Sequence, residues 1–319
     1  MGFIRHKKKI IVGIEIILLV IFLIYLFFYV DWKSILYNLQ SANKVLFLTA
    51  ILFYFLKIVA ESIRWKYVIR LFNTSVSTLK LVKAVTVAPF FSVITIIPKA
   101  EELFYFYFIK NEVKESTTAL SIIITNRIIA LSSLLILLPI TLLYVYYHEL
   151  SFALDAQKIS RILFIGSVVL AGAGILLIIL YKKQKVRTFL QKLSTLLKST
   201  FYLLKKQPHL LINLYLITFT SHFLYALTVY YLCASLSIEV PVIALFLSIP
   251  IVYLFTSVMI GMKGIGIKEA IWAFIILFFS ISETKAIALS SLHFILSLIF
   301  IFIGLLLYLT NKQRYGAKA

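Results

Sequence analysis

Apolar runs about as long as a bilayer is thick recur along this chain, and the charged residues are gathered almost entirely between them. The first, 10–30, follows Arg5-His6-Lys7-Lys8-Lys9 and is broken only by Glu15. As an α-helix it reaches about 30 Å, the depth of the hydrocarbon core. A secretory signal has a shorter apolar stretch and a small-residue cleavage site. Neither is present, so the run reads as a retained helix that starts in the cytoplasm. Five more full-length runs follow at 45–71, 117–147, 162–181, 210–232 and 286–310. The run 117–147 is over-long, and Pro139 is expected to kink it. With hydrophobic residues at 62% and charged ones at 14%, a soluble fold of this size has no interior large enough for its apolar surface. The reading is a single all-α domain, polytopic in a membrane, because a helix satisfies its own backbone in lipid.

Two further apolar stretches are interrupted. The stretch 81–109 contains Pro89 and Pro98-Lys99-Ala100-Glu101-Glu102, and 241–281 contains Pro250 and Gly261-Met262-Lys263-Gly264-Ile265-Gly266-Ile267-Lys268-Glu269. Neither half of either stretch comfortably spans a bilayer. Lys and Arg decide the topology, since cytoplasmic segments carry an excess of them. With the N-terminus, 64–114, 182–206 and the C-terminal tail inside, those segments hold 23 basic residues against 5 outside. Six full spans then force the first interrupted stretch to begin and end inside and the second to begin and end outside. Both become re-entrant hairpins entering from opposite faces, with N- and C-termini cytoplasmic. The order span, hairpin, span occurs at 45–147 and again, inverted, at 210–310, the two repeats being joined by the basic connector 182–208. Inverted repeats with broken helices near the midplane characterise many transporters. The alternative treats both hairpins as ordinary helix pairs, with about ten short spans.

The net charge of +20 points to anionic headgroups rather than nucleic acid, because the basic residues lie between apolar runs and form no soluble patch. In the connector, Phe189, Leu193, Leu196 and Leu197 recur at helical spacing among eight basic residues, which fits either an amphipathic helix on an anionic leaflet or a solvated linker. The one cysteine, Cys233, excludes an intramolecular disulfide and a Cys-rich zinc site.

Ionisable residues at membrane depth are costly and therefore informative. They are Glu61 and Arg64 on the second span, Lys99, Glu101 and Glu102 at the first hairpin, Arg127 on the next span, and Lys263, Lys268 and Glu269 at the second hairpin. Each hairpin tip places a Lys beside a Glu, so that if the tips meet, carboxylate and ammonium can pair across them or hold a charged headgroup. Gly264 and Gly266 permit close backbone approach to an anion. Lys57, Glu61 and Arg64 can instead form a simple ladder on one helix face, and His222 and His293 read as hydrogen-bonded packing residues. No HExxH, metal-spaced His/Cys cluster, G-x-S-x-G elbow or phosphate-binding loop occurs. The expectation is a protein that is not an enzyme and uses no cofactor.

At these residues the chain resembles the membrane domain of the lysylphosphatidylglycerol synthase family, the flippase-like part of the multiple peptide resistance factor. The matching features are Asp31-Trp32 with Ser41-Ala42-Asn43, Arg64-Trp65, Pro98-Lys99-Ala100-Glu101-Glu102, Thr125-Asn126-Arg127 and Lys263-Gly264-Ile265-Gly266-Ile267-Lys268-Glu269-Ala270. The similarity covers essentially the whole chain. It departs where Glu101 stands for a Gly, where Asn126 and Ala130 replace a Glu and an Asp beside Arg127, and where His293 replaces a common Arg. The resemblance implies a multi-pass protein of the prokaryotic plasma membrane that moves a polar-headed lipid between leaflets. Glu102 and Glu269 would handle headgroup or proton, and Arg64, Lys99, Arg127 and Lys268 the phosphate. Membrane lipids are the implied partners, with a homo-oligomer or a membrane enzyme as further ones. The aminoacyltransferase domain of the full-length synthase is not among these residues, so aminoacylation is not implied. Two rivals stand beside this reading: an accessory subunit of a lipid-modifying or glycan-assembly complex, and a secondary transporter of a small solute.

Overall fold

The computed structural model describes residues 32–94, 100–147, 205–258, 267–277 and 281–310, together with single positions at 194, 198, 202 and 279. Everything described is helix or short connection, with no strand. In chain order the helices are α1 (Trp32–Ser41), α2 (Lys44–Arg70), α3 (Thr78–Ile94), α4 (Ala100–Val113), α5 (Ser116–Tyr147), α6 (Pro208–Ser235), α7 (Val242–Val258), α8 (Ile267–Leu277) and α9 (Glu283–Thr310). Four of them, α2, α5, α6 and α9, are long and apolar enough to cross a membrane, and they coincide with four of the six runs expected to span. The runs 10–30 and 162–181 lie outside the described residues, as does most of the connector, of which Ser194, Lys198, Tyr202, Lys205 and Lys206 are helical and exposed.

In each candidate span under half of the apolar window is buried inside the protein, 28% in α2 and 44% at most. The outward remainder includes Leu48 and Leu52 of α2, Leu131 and Leu135 of α5 and Leu306 of α9. A helix apolar on both its packed and its outward face belongs in lipid. Backbone-directed hydroxyls fit the same medium: Ser62, Thr86, Thr125, Thr218 and Thr228 each donate to the carbonyl four residues back, so the donor is satisfied within its own helix. The molecule is a multi-pass membrane protein.

The most extensive packing joins α2 and α6, which run antiparallel: the Asn43 N–H, at the start of α2, donates to the Ser235 carbonyl at the end of α6 (2.8 Å), and Phe53 stacks on Tyr231. About this pair the contacts repeat. Helix α3 packs on α4 and α9, and its counterpart α7 packs on α8 and α5. Both α2 and α6 give way to a residue with positive φ, Asn73 at 54° and Ser237 at 51°. Helices α3 and α4 lie side by side, closed near their open end by Lys80 to Glu112 (2.9 Å) and, toward the segment joining them, by Ser92 donating to Glu101 (3.5 Å). Lys66 near the end of α2 donates to Thr78, so the α3–α4 pair starts beside the C-terminal end of α2. The Lys285 ammonium donates to the Ser237 carbonyl, which brings the return from the α7–α8 pair beside the C-terminal end of α6. Because α2 and α6 are antiparallel, those two ends lie at opposite extremes of the bundle.

Each α3-type helix also holds a proline, Pro89 in α3 and Pro250 in α7, without ending there. A proline removes one intrahelical donor and loosens the turn before it. Thr141 of α5 donates to the Leu247 carbonyl, three residues before Pro250 (2.6 Å), a hydrogen bond across the interface. At the other crossing Gly304 of α9 lies against the backbone of α3, where a Cβ would sit 2.5 Å from the Thr86 carbonyl oxygen. The two crossings differ in filling: Phe90, Phe91 and Tyr308 close the α3–α9 side, whereas Leu137, Ile140 and Tyr144 with Ile243 and Phe246 leave an open apolar groove on the α5–α7 side.

Helix α1 falls in a stretch read from sequence as an outside loop. Trp32, Ile35, Leu36 and Leu39 nonetheless recur at helical spacing, and Asn38 reaches Ser291 of α9 (3.4 Å). The next helix is fixed at its start by Asn43, whose side-chain oxygen accepts from the N–H groups of Val45 and Leu46. Asn43→Ala is expected to cost about 1 kcal/mol, read as a lower midpoint of thermal unfolding in detergent, with Asn43→Asp retaining most of the stability. At α5, Glu115 accepts from the hydroxyls of Thr117 and Thr118, which hold its carboxyl below the usual carboxylate range. The favoured ionised form is present at neutral pH, and its contribution is lost as pH falls through that depressed value.

Candidate functional site

Three elements bring charge together at membrane depth. Helix α2 presents Lys57, Glu61 and Arg64, α4 begins with Glu101 and Glu102, and α5 carries Asn126 and Arg127. Arg127 is eleven positions past Ser116, about 16 Å along a helix long and apolar enough to cross a membrane.

The side chains pair in a pattern that the sequence did not disclose. Lys57 binds Glu61 one turn on (2.9 Å), as expected of a ladder, but Arg64 does not join it. Arg64 turns to α5, where its Nε donates to the Asn126 side-chain oxygen (3.1 Å), and it is only 8% exposed. Arg127 takes Glu102 as its partner, Nη2 to Oε1 at 2.8 Å, with the two side chains 48% and 28% exposed. The expected pairing of one hairpin tip with the other falls on Lys263, Lys268 and Glu269, whose side chains lie outside the described residues. Glu102 itself has a partner on α5. A short helix bearing two acids in its first turn is well placed for this, since its N-terminal dipole end favours carboxylates there. Glu101 points toward Ser92 of α3.

Tyr105 borders the cluster. Its ring packs on Trp65 (4.7 Å between centroids), and its phenol is within electrostatic reach of Glu101, Glu61, Arg127 and Arg64. From α6, His222 is hydrogen-bonded to Ser133 of α5 (3.1 Å) and lies within electrostatic reach of Arg64, Glu61 and Lys57. Lys57 also sits over the rings of Tyr54 (5.5 Å) and Tyr225 (5.9 Å), where the ring faces attract its charge.

Beyond Lys57 a second buried group joins three helices. Trp272 of α8 donates its indole N–H to the Tyr225 hydroxyl (3.0 Å), and that hydroxyl shares a hydrogen bond with His293 Nε2 of α9 (3.1 Å). His222 and His293 thus fill the packing role expected of them, each with a hydrogen-bond partner. Lys99, Gly264 and Gly266 lie outside the described residues. Lys268 and Glu269 fall in the first turn of α8 by backbone, with their side chains outside the description.

A helical hairpin and two long spans thus converge on alternating charges, framed by the residues of the Arg64-Trp65 and Asn126-Arg127 motifs. The family model of the lysylphosphatidylglycerol synthase TM region matches residues 10–304. The chain belongs to that family. Within this lysylphosphatidylglycerol synthase TM chain, the match runs from the first apolar run to Gly304 at the α3–α9 crossing. No curated protein and no solved structure matches the chain. Membership ties this membrane domain to lipid handling.

The cluster contains members that reading the sequence did not select. Asn126 drew notice only as a departure from the family pattern, yet it is the acceptor that holds Arg64. Tyr105 was indistinguishable from the many other aromatics, and Trp65 drew notice only as half of the Arg64-Trp65 feature. Tyr225, Trp272 and His293 come from three distant segments, and nothing in their spacing announces that they meet. Among the described residues no group of His, Cys, Asp and Glu is arranged to hold a metal ion.

Proposed function

We propose that this protein moves a polar-headed lipid between the leaflets of a prokaryotic plasma membrane, as a transporter and not an enzyme, without a cofactor. The proposed topology has six full spans, two re-entrant hairpins entering from opposite faces, and cytoplasmic termini. The observation that carries the reading is the Glu102–Arg127 pair beside Arg64 and Asn126, at membrane depth, where a hairpin meets two spans. Charge in that position is expensive, and half-exposed Arg127 opens onto space rather than packed protein. Family membership supports a lipid as the substrate. The repetition of contacts about the antiparallel α2–α6 pair supports two equivalent half-sites, each reached from its own side. Partners under this reading are anionic membrane lipids, with a second copy or a membrane enzyme as the protein partner.

The test is lipid movement in proteoliposomes made with the purified full chain and fluorescent lipids of differing headgroup. Transfer of at least one class above protein-free vesicles is expected. Folded, inserted protein that moves no anionic, zwitterionic or polyprenyl-linked lipid would overturn the reading.

A further inference from the structure

We propose that the buried Trp272–Tyr225–His293 junction of α6, α8 and α9 is a proton-binding site, with the His293 imidazole as the base. The site goes beyond the proposed lipid movement, and it rests on that reading only where the proton is linked to movement.

The junction occupies the place in the second half that the charged cluster occupies in the first. Tyr225 of α6 and Glu61 of α2 both lie seventeen residues past the start of their helix. Trp272 of α8 and Tyr105 of α4 both lie five past theirs, and His293 of α9 and Asn126 of α5 both ten. Agreement on three helix pairs makes the junction the inverted counterpart of the cluster. The chemistry differs. Where the cluster has a carboxylate and an amide, the junction has a phenol and an imidazole, and each of its three side chains is at most 5% exposed. The imidazole is the base among them.

The hydrogen bonds define what that base does. Trp272 donates its indole N–H to the Tyr225 oxygen (3.0 Å), and an indole N–H can only donate. The arrangement that uses both hydrogens sends the phenol hydrogen to His293 Nε2 (3.1 Å), which then carries none and presents a lone pair. On proton uptake the Nε2–H bond forms and the hydrogen bond reverses. The Tyr225 oxygen then accepts from indole and imidazolium together, and its own hydrogen, still covalently held, turns away. The surrounding charges permit this. From α6 His293 meets Tyr225, and over that ring lies Lys57 of α2 (5.9 Å to the centroid), already balanced by Glu61. From α1 the neutral Asn38 reaches Ser291, while Lys33 and Tyr37 are exposed. Helix α3 meets α9 at Gly304 and Tyr308, eleven and fifteen residues past His293. On α8, Lys268 and Glu269 fall in the first turn, with their side chains outside the described residues. Titratable groups connect the junction to the half-exposed pair: Tyr105 is within electrostatic reach of Arg127 and of Glu61, whose partner Lys57 lies over the Tyr225 ring.

The test follows the ring nitrogens of His293 by magnetic resonance of the full chain in detergent, with isotope-labelled histidine and the signal assigned by its absence from His293→Gln. At about pH 8 wild type is expected to show a single neutral tautomer with its hydrogen on Nδ1, converting reversibly to imidazolium on acidification to about pH 5. Trp272→Phe removes the donor that sets the direction of the bonds, and Tyr225→Phe removes the hydroxyl itself. Either is expected to give a mixture of tautomers at the higher pH, and each suffices if the other does not fold. A ring that stays neutral throughout, or one already charged at about pH 8, would overturn the site. A single tautomer that survives in the folded variants would overturn it as well. Linkage to movement is read separately, as the response of fluorescent lipid transfer in proteoliposomes to an imposed pH gradient, which His293→Gln is expected to lose. Transfer in wild type that ignores the gradient would overturn the linkage. Titration of His293 in a protein that transfers no lipid would sink the movement reading and leave the proton site standing.

Discussion

Arg127→Ala protein, reconstituted into liposomes, is expected to insert and fold and to move no lipid. The Arg127 side chain is 48% exposed, so truncating it opens no internal cavity, and the stability cost is confined to the lost pair with Glu102. Pairs this accessible contribute about 1 kcal/mol or less in water. The cost rises where lipid replaces water, but a carboxylate left alone near an opening escapes most of it by taking up a proton. Under the proposed lipid movement, function has no such escape, because a headgroup passing the pair would have to meet a cation where α4 touches α5. The measurement is the initial rate of fluorescent lipid movement at matched protein density, with circular dichroism and size-exclusion profiles confirming the fold. A rate within about twofold of wild type would remove Arg127 from the pathway. The exchanged pair, Glu102→Arg with Arg127→Glu, separates two roles. If movement returns, the pair only holds the hairpin against α5, whereas if it stays absent the cation must stand on α5 itself.

Gly304→Val should clearly destabilise the protein. Its Cβ would lie 2.5 Å from the Thr86 carbonyl oxygen and 3.3 Å from the Val87 Cα, which are backbone atoms that cannot rotate aside. Helices α3 and α9 must separate, which opens the contacts of Tyr308 with Phe90 and Phe91. Overpacking of this kind costs about 1–3 kcal/mol. Higher intrinsic helix propensity returns only a few tenths for a β-branched residue. Thermal unfolding in detergent should show a clearly lowered midpoint for Gly304→Val and a smaller loss for Gly304→Ala. An unchanged midpoint for the valine variant would mean that α3 is not held against α9 as described.

What was legible from residues alone follows from the physics of the bilayer. Length and hydropathy found α2, α5, α6 and α9, because a span must be apolar for a fixed distance whatever it packs against. The broken stretches announced themselves through Pro98-Lys99 and the Gly-rich segment around Lys263, while Pro89 and Pro250 lie inside α3 and α7. The charged residues at depth were also visible, since nothing apolar masks them. Their partners were not. Whether Arg64 faces Glu61 on its own helix or Asn126 across the bundle depends on the rotation of α2 against α5, and in a helix apolar on all sides no hydrophobic stripe records that rotation. The same holds for Tyr225, Trp272 and His293, whose meeting is fixed only by how α6, α8 and α9 cross. Helix α1 was missed because a ten-residue segment is too short to weigh in a search for spans.

The crossing of α3 with α9, mirrored by α7 with α5, means that each half of the molecule clasps the closing helix of the other. Thr86 and Gly304, which touch, are separated by most of the described chain. During synthesis the first half therefore emerges with its proline-bearing helix facing an empty berth, and that berth is filled only when the last helix arrives. The final span acts as a latch on the earliest hairpin, so a chain cut short before Gly304 would lose the integrity of both halves, and not merely its last helix.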